Sequence, residues 1–285
     1  MTLCAGVMGS PISHSLSPRL HGYWIQKYDL DASYVAWEVK PDALMATFEK
    51  LARDCAAKGD VFRGCNLTIP LKETIVAEVD ALEDAARAIG AVNTVVVDGN
   101  QLAGRNTDGI GFTDNLAAEI DISRFEGGTA LVLGAGGAAR AILYALQQMG
   151  FAKSLLVNRT KARAEALADA MPNIPIDVAN WAERETLCAA ADLVVNTTSL
   201  GMQGQPPLDM SLQHLKAGAV VTDIVYAPLE TDLLREARAK GHVAIDGLGM
   251  LLHQAKAGFE AWFGVKPEVD AALRAFVLQG LNGDK

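Results

Sequence analysis

The stretch TALVLGAGGAARAILYAL, from Thr129 to Leu146, narrows the choice of fold more than any other. Thr129–Leu133 is short and apolar, as a strand buried on both faces must be. A glycine turn follows at once, Gly134-Ala135-Gly136-Gly137-Ala138-Ala139, and then a helical run. Gly134 permits a tight turn, Gly136 lets backbone approach a pyrophosphate, and Ala139 lets the helix pack close to the sheet. The helix start offers unpaired N–H groups and a partial positive charge, which suits an anion. In this strand–turn–helix setting G-x-G-x-x-A predicts a dinucleotide site. The plainer alternative is a glycine-rich turn that only packs.

The next strand ends in LLVNRTKAR, Leu155–Arg163. A site for NAD usually carries Asp or Glu near this point, where the carboxylate accepts from the ribose 2′-OH. Here the residues are Asn158, Arg159, Thr160 and Arg163. A carboxylate would repel a 2′-phosphate, whereas arginine pairs with it and can stack on the adenine. The pattern favours NADP(H) over NAD. If Arg159 and Arg163 are only a solvated cationic helix face, the two cofactors would be poorly distinguished.

Strand and helix patterns alternate along the whole chain, which predicts an α/β protein with parallel sheets. Strands are expected at Leu3–Met8, Ser33–Val39, Gly64–Ile69, Thr129–Leu133, Ser154–Val157, Ile174–Val178, Leu193–Thr197, Val220–Val225 and Val243–Asp246. Ser17-Pro18 reads as a helix N-cap followed by proline at the first helical position, with the helix running to about Tyr28. Asp42–Ala57 reads as a second helix, and further helices start near Leu71, Met250 and Glu268. Asp98-Gly99 between apolar runs signals a hairpin. With 285 residues the chain is long enough for two domains. The expected division is residues 1–108 plus 250–285 in one domain and 109–249 in a doubly wound, Rossmann-like NADP domain. The first domain is expected to be α/β with a mostly parallel sheet.

A net charge of −9 argues against nucleic acid or an anionic membrane surface as partner. No apolar run reaches the ~18 residues that a membrane helix needs. Cys4, Cys55, Cys65 and Cys188 form no Cys-x-x-Cys pair and lie outside metal-ligand spacing with histidine, so free thiols and no metal are expected. The N-terminus reads as lacking a secretory signal. A cytoplasmic protein is the resulting expectation.

Small polar residues cluster where the first-domain strands end: Ser13, His14, Ser15 and Ser17, then Asn66, Thr68 and Lys72, then Asn93, Asn106 and Asp108. Ligands of open α/β sheets bind beyond the carboxyl ends of the strands. Convergent hydroxyls, amides and one charge pair suit a small polyhydroxylated ligand with a carboxylate. Singly, each residue has a plainer role: Ser17 as a helix cap, Asn93 and Asn106 as turn holders, His14 as a packed histidine. Lys72 is either a solvated charge or a proton carrier. Near Asp108 it would be oriented and charged, and could shuttle the proton that accompanies hydride transfer.

The motifs GSPISHSLSPRLH, NLTIPLKE, IGAVNTV, GRNTDGIGF, GAGGAARA, NRT, NTTSLGM, DIVYAPLETDLL and DGLGMLLHQAKAGFEAWFG occur in one order along nearly the full chain. In them the chain resembles the NADP-dependent shikimate dehydrogenase family. The resemblance implies interconversion of 3-dehydroshikimate and shikimate in aromatic amino-acid biosynthesis. It also implies a substrate domain and a nucleotide domain flanking a cleft. The family's catalytic lysine and aspartate fall on Lys72 and Asp108. Its two carboxylate-holding serines fall on Ser15 and Ser17, and its other substrate residues on Thr68, Asn93, Tyr226 and Gln254. Its nucleotide residues fall on Gly134, Ala135, Gly136, Gly137 and Ala138, on Asn158, Arg159, Thr160 and Arg163, and on Thr198, Ile224, Gly247 and Asp84. The chain departs from the family pattern at His21-Gly22, where Asn commonly follows the histidine, and at Leu67 and Thr197. None of these is a named ligand residue.

Three rivals stand beside this reading. A dual quinate/shikimate dehydrogenase would need more room near the carboxylate and would often use NAD. An amino-shikimate pathway paralogue would share the motifs. A non-catalytic sensor would bind the same ligands without turnover. The oligomeric state stays open, a homodimer among the options.

Overall fold

Strand burial follows the apolar runs, and where the runs stop the chain turns. A computed structural model describes residues 1–281 of the 285. The last four, which the expected first domain includes, lie outside the described residues. The chain folds as two units: Met1–Thr107 together with the segment from Leu252 onward, and Asp108–Leu251.

The first unit is built from β1 (Leu3–Gly9), α1 (Ser17–Lys27), β2 (Ala32–Glu38), α2 (Leu44–Ala57), β3 (Val61–Leu67), α3 (Leu71–Thr74), β4 (Ala81–Leu82), α4 (Asp84–Ile89), β5 (Thr94–Asp98) and β6 (Gln101–Arg105). Its sheet order is β2-β1-β3-β5-β6-β4. β1 pairs in parallel with β2 and β3, and β4 with β6, while β5 runs antiparallel to both β3 and β6. Met8, Leu67, Leu71, Ile75 and Val92 pack with Phe48 and Phe62 on one side. Rings of Trp24, Tyr34, Phe259, Trp262 and Phe263 pack together around His21.

The second unit contains α5 (Asp108–Glu119), β7 (Thr129–Leu133), α6 (Gly137–Gln148), β8 (Lys153–Asn158), α7 (Lys161–Asp169), β9 (Ile176–Asn180), α8 (Arg184–Leu187), β10 (Leu193–Asn196), β11 (Val220–Asp223), α9 (Asp232–Ala239) and β12 (Val243–Ile245). α10 (Leu248–Phe263) then carries the chain back to the first unit, where α11 (Ala271–Leu281) follows. The sheet order is β12-β11-β10-β7-β8-β9, all parallel. This is the doubly wound arrangement, with its switch point between β7 and β10. Side chains alternate between two cores: Val132, Leu156 and Val195 face one, and Leu131, Leu133, Val157 and Val194 the other.

Four local expectations need correction. Ser17 is not the cap of α1: Leu16 holds that position without a side-chain bond, and Ser17 is the first helical residue. Its backbone N–H instead donates to Ser15 Oγ at 3.3 Å. The second helix begins as a short 3₁₀ turn, Pro41–Ala43, before α2. The hairpin turn lies one residue later than expected. Asp98 is still paired, opposite Gln101, and Gly99 at φ +59° opens a two-residue turn with Asn100. The final helix starts at Ala271 rather than near Glu268. Glu268 is held by Trp24 and Tyr28, and Asp270 caps α11 by accepting from Leu273 N at 2.7 Å.

The indole N–H of Trp262 donates to Val95 O at 3.0 Å from a fully buried position. It pins α10 to the centre of the first sheet. Trp262→Phe keeps most of the ring volume but leaves the carbonyl without this donor. We expect a loss of about 1–3 kcal/mol, read as a lower urea midpoint at unchanged slope.

Candidate active site

In the first unit the polar side chains meet beyond the strand ends. The loop after β1 carries Ser13 and His14, both exposed, then Ser15, whose Oγ accepts from Ser17 N at 3.3 Å. His14 is thus not the packed histidine expected; His21 is. β3 ends at Leu67, and Thr68 N donates to Met8 O at 2.9 Å, holding Thr68 beside β1. Lys72 follows on α3, half-buried, and its carbonyl accepts from Val92 N at 2.8 Å. That bond fixes the lysine backbone next to Asn93.

Asn93 is the centre of this network. Its Oδ1 accepts from Thr107 N at 2.9 Å and from Thr94 Oγ1 at 3.0 Å. Its Nδ2 donates to Gln254 Oε1 at 3.1 Å and to Thr107 Oγ1 at 3.0 Å. Two predicted site residues 161 positions apart, Asn93 and Gln254, are therefore bonded to each other. Asn106 Nδ2 donates to Ala91 O at 2.9 Å, a turn-holding role. Asp108 is buried and opens α5, one peptide bond after Thr107. Asp84 stands exposed in the first turn of α4.

Two buried residues join this network, Asn66 from the expected strand-end cluster and Tyr34, which was not predicted. Tyr34 Oη donates to Asn66 Oδ1 at 2.7 Å, and Asn66 Nδ2 donates to Asn93 O at 3.2 Å and Thr94 Oγ1 at 3.0 Å. Burial pushes the Tyr34 phenol well above its usual value. A chain of bonds thus runs from Tyr34 through Asn66 and Thr94 to Asn93. The polar Asn66 inside an apolar strand was a signal; Tyr34 in β2 gave none.

In the second unit the glycine turn sits between β7 and α6. Gly134 has φ +105°, and a Cβ there would stand 2.8 Å from Thr198 Cγ2, so the turn abuts Thr198. Ala135 N donates to Asn158 Oδ1 at 3.2 Å, and Asn158 Nδ2 donates to Thr160 O at 2.8 Å. Asn158 ties the turn to the loop that carries Arg159 and Thr160. Gly136 and Gly137 are exposed, and a Cβ on either would meet open space. Ala138 follows in the first turn of α6. Arg159 and Arg163 are exposed and make no ion pair among the described residues. An open backbone cradle at a helix start with two arginines beside it fits a nucleotide diphosphate and a 2′-phosphate. Gly247 and Ile224 also meet: a Cβ at Gly247 would stand 2.3 Å from Ile224 O. Tyr226 is partly buried, and burial raises its phenol above the usual value.

Asn196 and Asp223, at the ends of β10 and β11, were not predicted. Asn196 Nδ2 donates to Asp223 Oδ1 at 3.0 Å, and Thr231 Oγ1 donates to Asp223 Oδ2 at 2.8 Å. No cation among the described residues pairs with this buried carboxylate, and burial raises it to about 6. No cluster of three or more metal-ligating side chains occurs among the described residues, and no helix there is long and apolar enough to cross a membrane.

Three family models match the chain. The shikimate dehydrogenase substrate binding domain covers residues 7–95, the shikimate / quinate 5-dehydrogenase model 116–203, and the shikimate 5′-dehydrogenase C-terminal domain 247–275. The chain is 52% identical over 278 residues to a protein of Rhodospirillum rubrum named shikimate dehydrogenase (NADP(+)), covering 96% of each. Among solved structures it is similar to shikimate 5-dehydrogenase from Thermus thermophilus in complex with NADP(H) and shikimate. That likeness has a TM-score of 0.84 at 35% identity and covers 98% of this chain and 99% of the other. It is also similar to quinate dehydrogenase from Corynebacterium glutamicum in complex with NAD, with a TM-score of 0.85 at 30% identity over 98% and 99% of the two chains.

Two of the buried titratable groups, His21 and Asp223, respond to pH in opposite senses. His21 stacks on Tyr34 at 3.9 Å, and neither ring nitrogen has a hydrogen-bond partner. Burial lowers it to about 3, outweighing an upward pull from nearby Asn66. Its contribution to stability is complete above the unfolded value of about 6.5 and is lost as pH falls from there toward 3. Asp223, raised to about 6, contributes fully below an unfolded value of about 3.9 and loses that contribution as pH rises through 6. Between pH 7 and pH 4, urea unfolding should show wild type losing on the order of 3 kcal/mol relative to His21→Phe. Against Asp223→Asn it should gain a similar amount over that range. Parallel curves would contradict both assignments.

Proposed function

The chain belongs to the shikimate dehydrogenase family, and we propose that it catalyses NADPH-dependent reversible reduction of 3-dehydroshikimate to shikimate. The reaction serves chorismate and aromatic amino-acid biosynthesis. The single observation that carries the reading is the coexistence of two constellations at near-full-length likeness. One is the Ser15, Ser17, Lys72, Asn93 and Gln254 set in the first unit, and the other is the glycine turn with Arg159 in the second. In this reading the first unit is the substrate domain and the second the NADP(H) domain.

The Ser15 and Ser17 hydroxyls donate to the substrate carboxylate. Thr68, Asn93, Asp108, Tyr226 and Gln254 read the ring hydroxyls. When bound, NADPH supplies the hydride that reduces the ketone carbon. Lys72 gives its proton to the carbonyl oxygen in reduction and takes it back in oxidation, and its charge stabilises the developing alkoxide. Asp108 keeps the ammonium oriented and accepts from a substrate hydroxyl. The backbone bond from Val92 to Lys72 supports this role, because it holds the lysine beside Asn93. Gly134–Ala138 would hold the diphosphate, and Thr198, Ile224, Gly247 and Asp84 are the further residues we assign to nucleotide binding. Arg159 and Arg163 would pair with the 2′-phosphate, with Asn158 and Thr160 shaping their loop. Shikimate and 3-dehydroshikimate are the small-molecule partners, a homodimer is compatible with this site, and a pathway of this kind places the enzyme in the cytoplasm.

A quinate/shikimate reading keeps one support, the likeness to an NAD-bound quinate dehydrogenase. Asn158-Arg159 favours NADP(H) and the shikimate reading. Initial rates at 340 nm with shikimate and with quinate, each against NADP and NAD, separate the two. Rapid turnover with shikimate and NADP alone is expected; comparable quinate turnover with NAD would overturn it.

Lys72→Ala should lower kcat by about 10²–10⁴-fold with little change in shikimate KM. Near-normal turnover would remove the lysine from the mechanism. Arg159→Ala should raise the KM for NADP by about 10–100-fold, the worth of a charge-assisted bond, and leave the KM for NAD nearly unchanged.

A further inference from the structure

β10 and β11 are neighbours in register, with Asn196 opposite Asp223 at their carboxyl ends. The buried carboxylate is the fixed point of everything that follows these strands. Asp223 Oδ1 accepts twice, from Asn196 Nδ2 and from Val225 N, each at 3.0 Å. The bond to Val225 is an Asx-type turn, and it wraps the chain around Ile224. The bond to Asn196 decides which way that amide faces. With its NH₂ on the carboxylate and on Leu200 O at 3.2 Å, its Oδ1 must face Thr198. There it accepts from Thr198 N at 3.0 Å and Thr198 Oγ1 at 2.7 Å. Thr198 Oγ1 in turn accepts from Leu200 N at 3.0 Å. Thr198 is the residue against which the Gly134 turn is packed. Were the amide reversed, its NH₂ would oppose the Thr198 N–H and its oxygen would face the carboxylate.

A carboxylate buried without a cation is expensive, and a cheaper side chain would serve if packing were the only need. We propose that Asp223 is a positioning residue for the nucleotide: it presets Thr198 through Asn196, and Ile224 through Val225, in the shape that receives NADP(H). The inference rests on the nucleotide-site reading given above. Asp223 need not touch the nucleotide itself. Thr231 bonds the other carboxylate oxygen and caps α9 through Leu234 N, so it lies off this path.

The test uses the full chain and four variants: Asp223→Ala, Asp223→Asn, Asn196→Ala and Thr231→Val. Each is assayed for shikimate oxidation and titrated with NADPH by its fluorescence. Asp223→Ala and Asn196→Ala should raise the KM for NADP and the NADPH Kd about tenfold or more. Their kcat and shikimate KM should stay within about twofold. Asp223→Asn keeps an acceptor for Asn196 and Val225 and should recover most of the affinity. Thr231→Val should lower thermal stability and leave NADPH affinity unchanged. If Asp223→Ala does not fold, Asn196→Ala against Thr231→Val makes the same comparison. Unchanged NADPH affinity in Asn196→Ala would overturn the inference, as would an equal loss in Thr231→Val. A wild type that binds NADPH but oxidises no shikimate would instead count against the proposed reaction. The variant affinities would still decide the role of Asp223.

Discussion

The hydrogen bonds converging on the Asn93 side chain hold the first unit's polar residues in one arrangement. An amide has two donors and two acceptor lone pairs, and here both ends are committed. The oxygen takes the Thr107 backbone and the Thr94 hydroxyl, and the nitrogen reaches Gln254 and Thr107. The strand end, the start of the return helix and the segment leading to Asp108 are thereby tied to one group. Around it the carbonyl of Lys72 is bonded to Val92, and Asn66 links the network to Tyr34. A buried polar network of this kind is valuable only when fully satisfied, because low dielectric penalises any unpaired member. That is why so many small polar residues stand at the ends of apolar strands, where the sheet's own hydrogen bonding has stopped.

The second unit solves a similar problem with a different centre. Its sheet is parallel throughout and buried on both faces, so the strands have little polar surface until their carboxyl ends. At those ends the backbone must turn, and it does so around Gly134, Asn196, Asp223 and Gly247. The Asn158 amide joins the turn after β7 to the loop after β8. The result is an open backbone surface at the start of α6 beside an arginine-bearing loop. A carboxylate at Asn158 would still accept from Ala135 N but would oppose a phosphate. The amide keeps the structural bond without the charge.

Much of this was legible in the residues. The doubly wound unit followed from apolar run, glycine turn and helical period, because that signal is local and each glycine has a steric reason. Asn93 stood out in the strand-end cluster, but Gln254 came from resemblance alone; their mutual bond spans 161 positions and has no local signature. Errors arose where a shifted boundary or a distant partner overrode a local rule. Ser17 had the sequence of a helix cap, yet the helix opens one residue earlier, with Leu16 at the cap position. Glu268 read as a helix start, yet Trp24 and Tyr28 take up its backbone groups and the helix begins at Ala271. Asp223 was passed over because the end of an apolar strand is also where an ordinary solvated aspartate would stand.

A structure of the chain crystallised with NADP⁺ and shikimate bears most directly on this account. It should show the shikimate carboxylate on the Ser15 and Ser17 hydroxyls, a ring hydroxyl on Asn93, and the 2′-phosphate on Arg159 or Arg163. Shikimate bound away from the serines and Asn93, or a 2′-phosphate turned from both arginines, would contradict it.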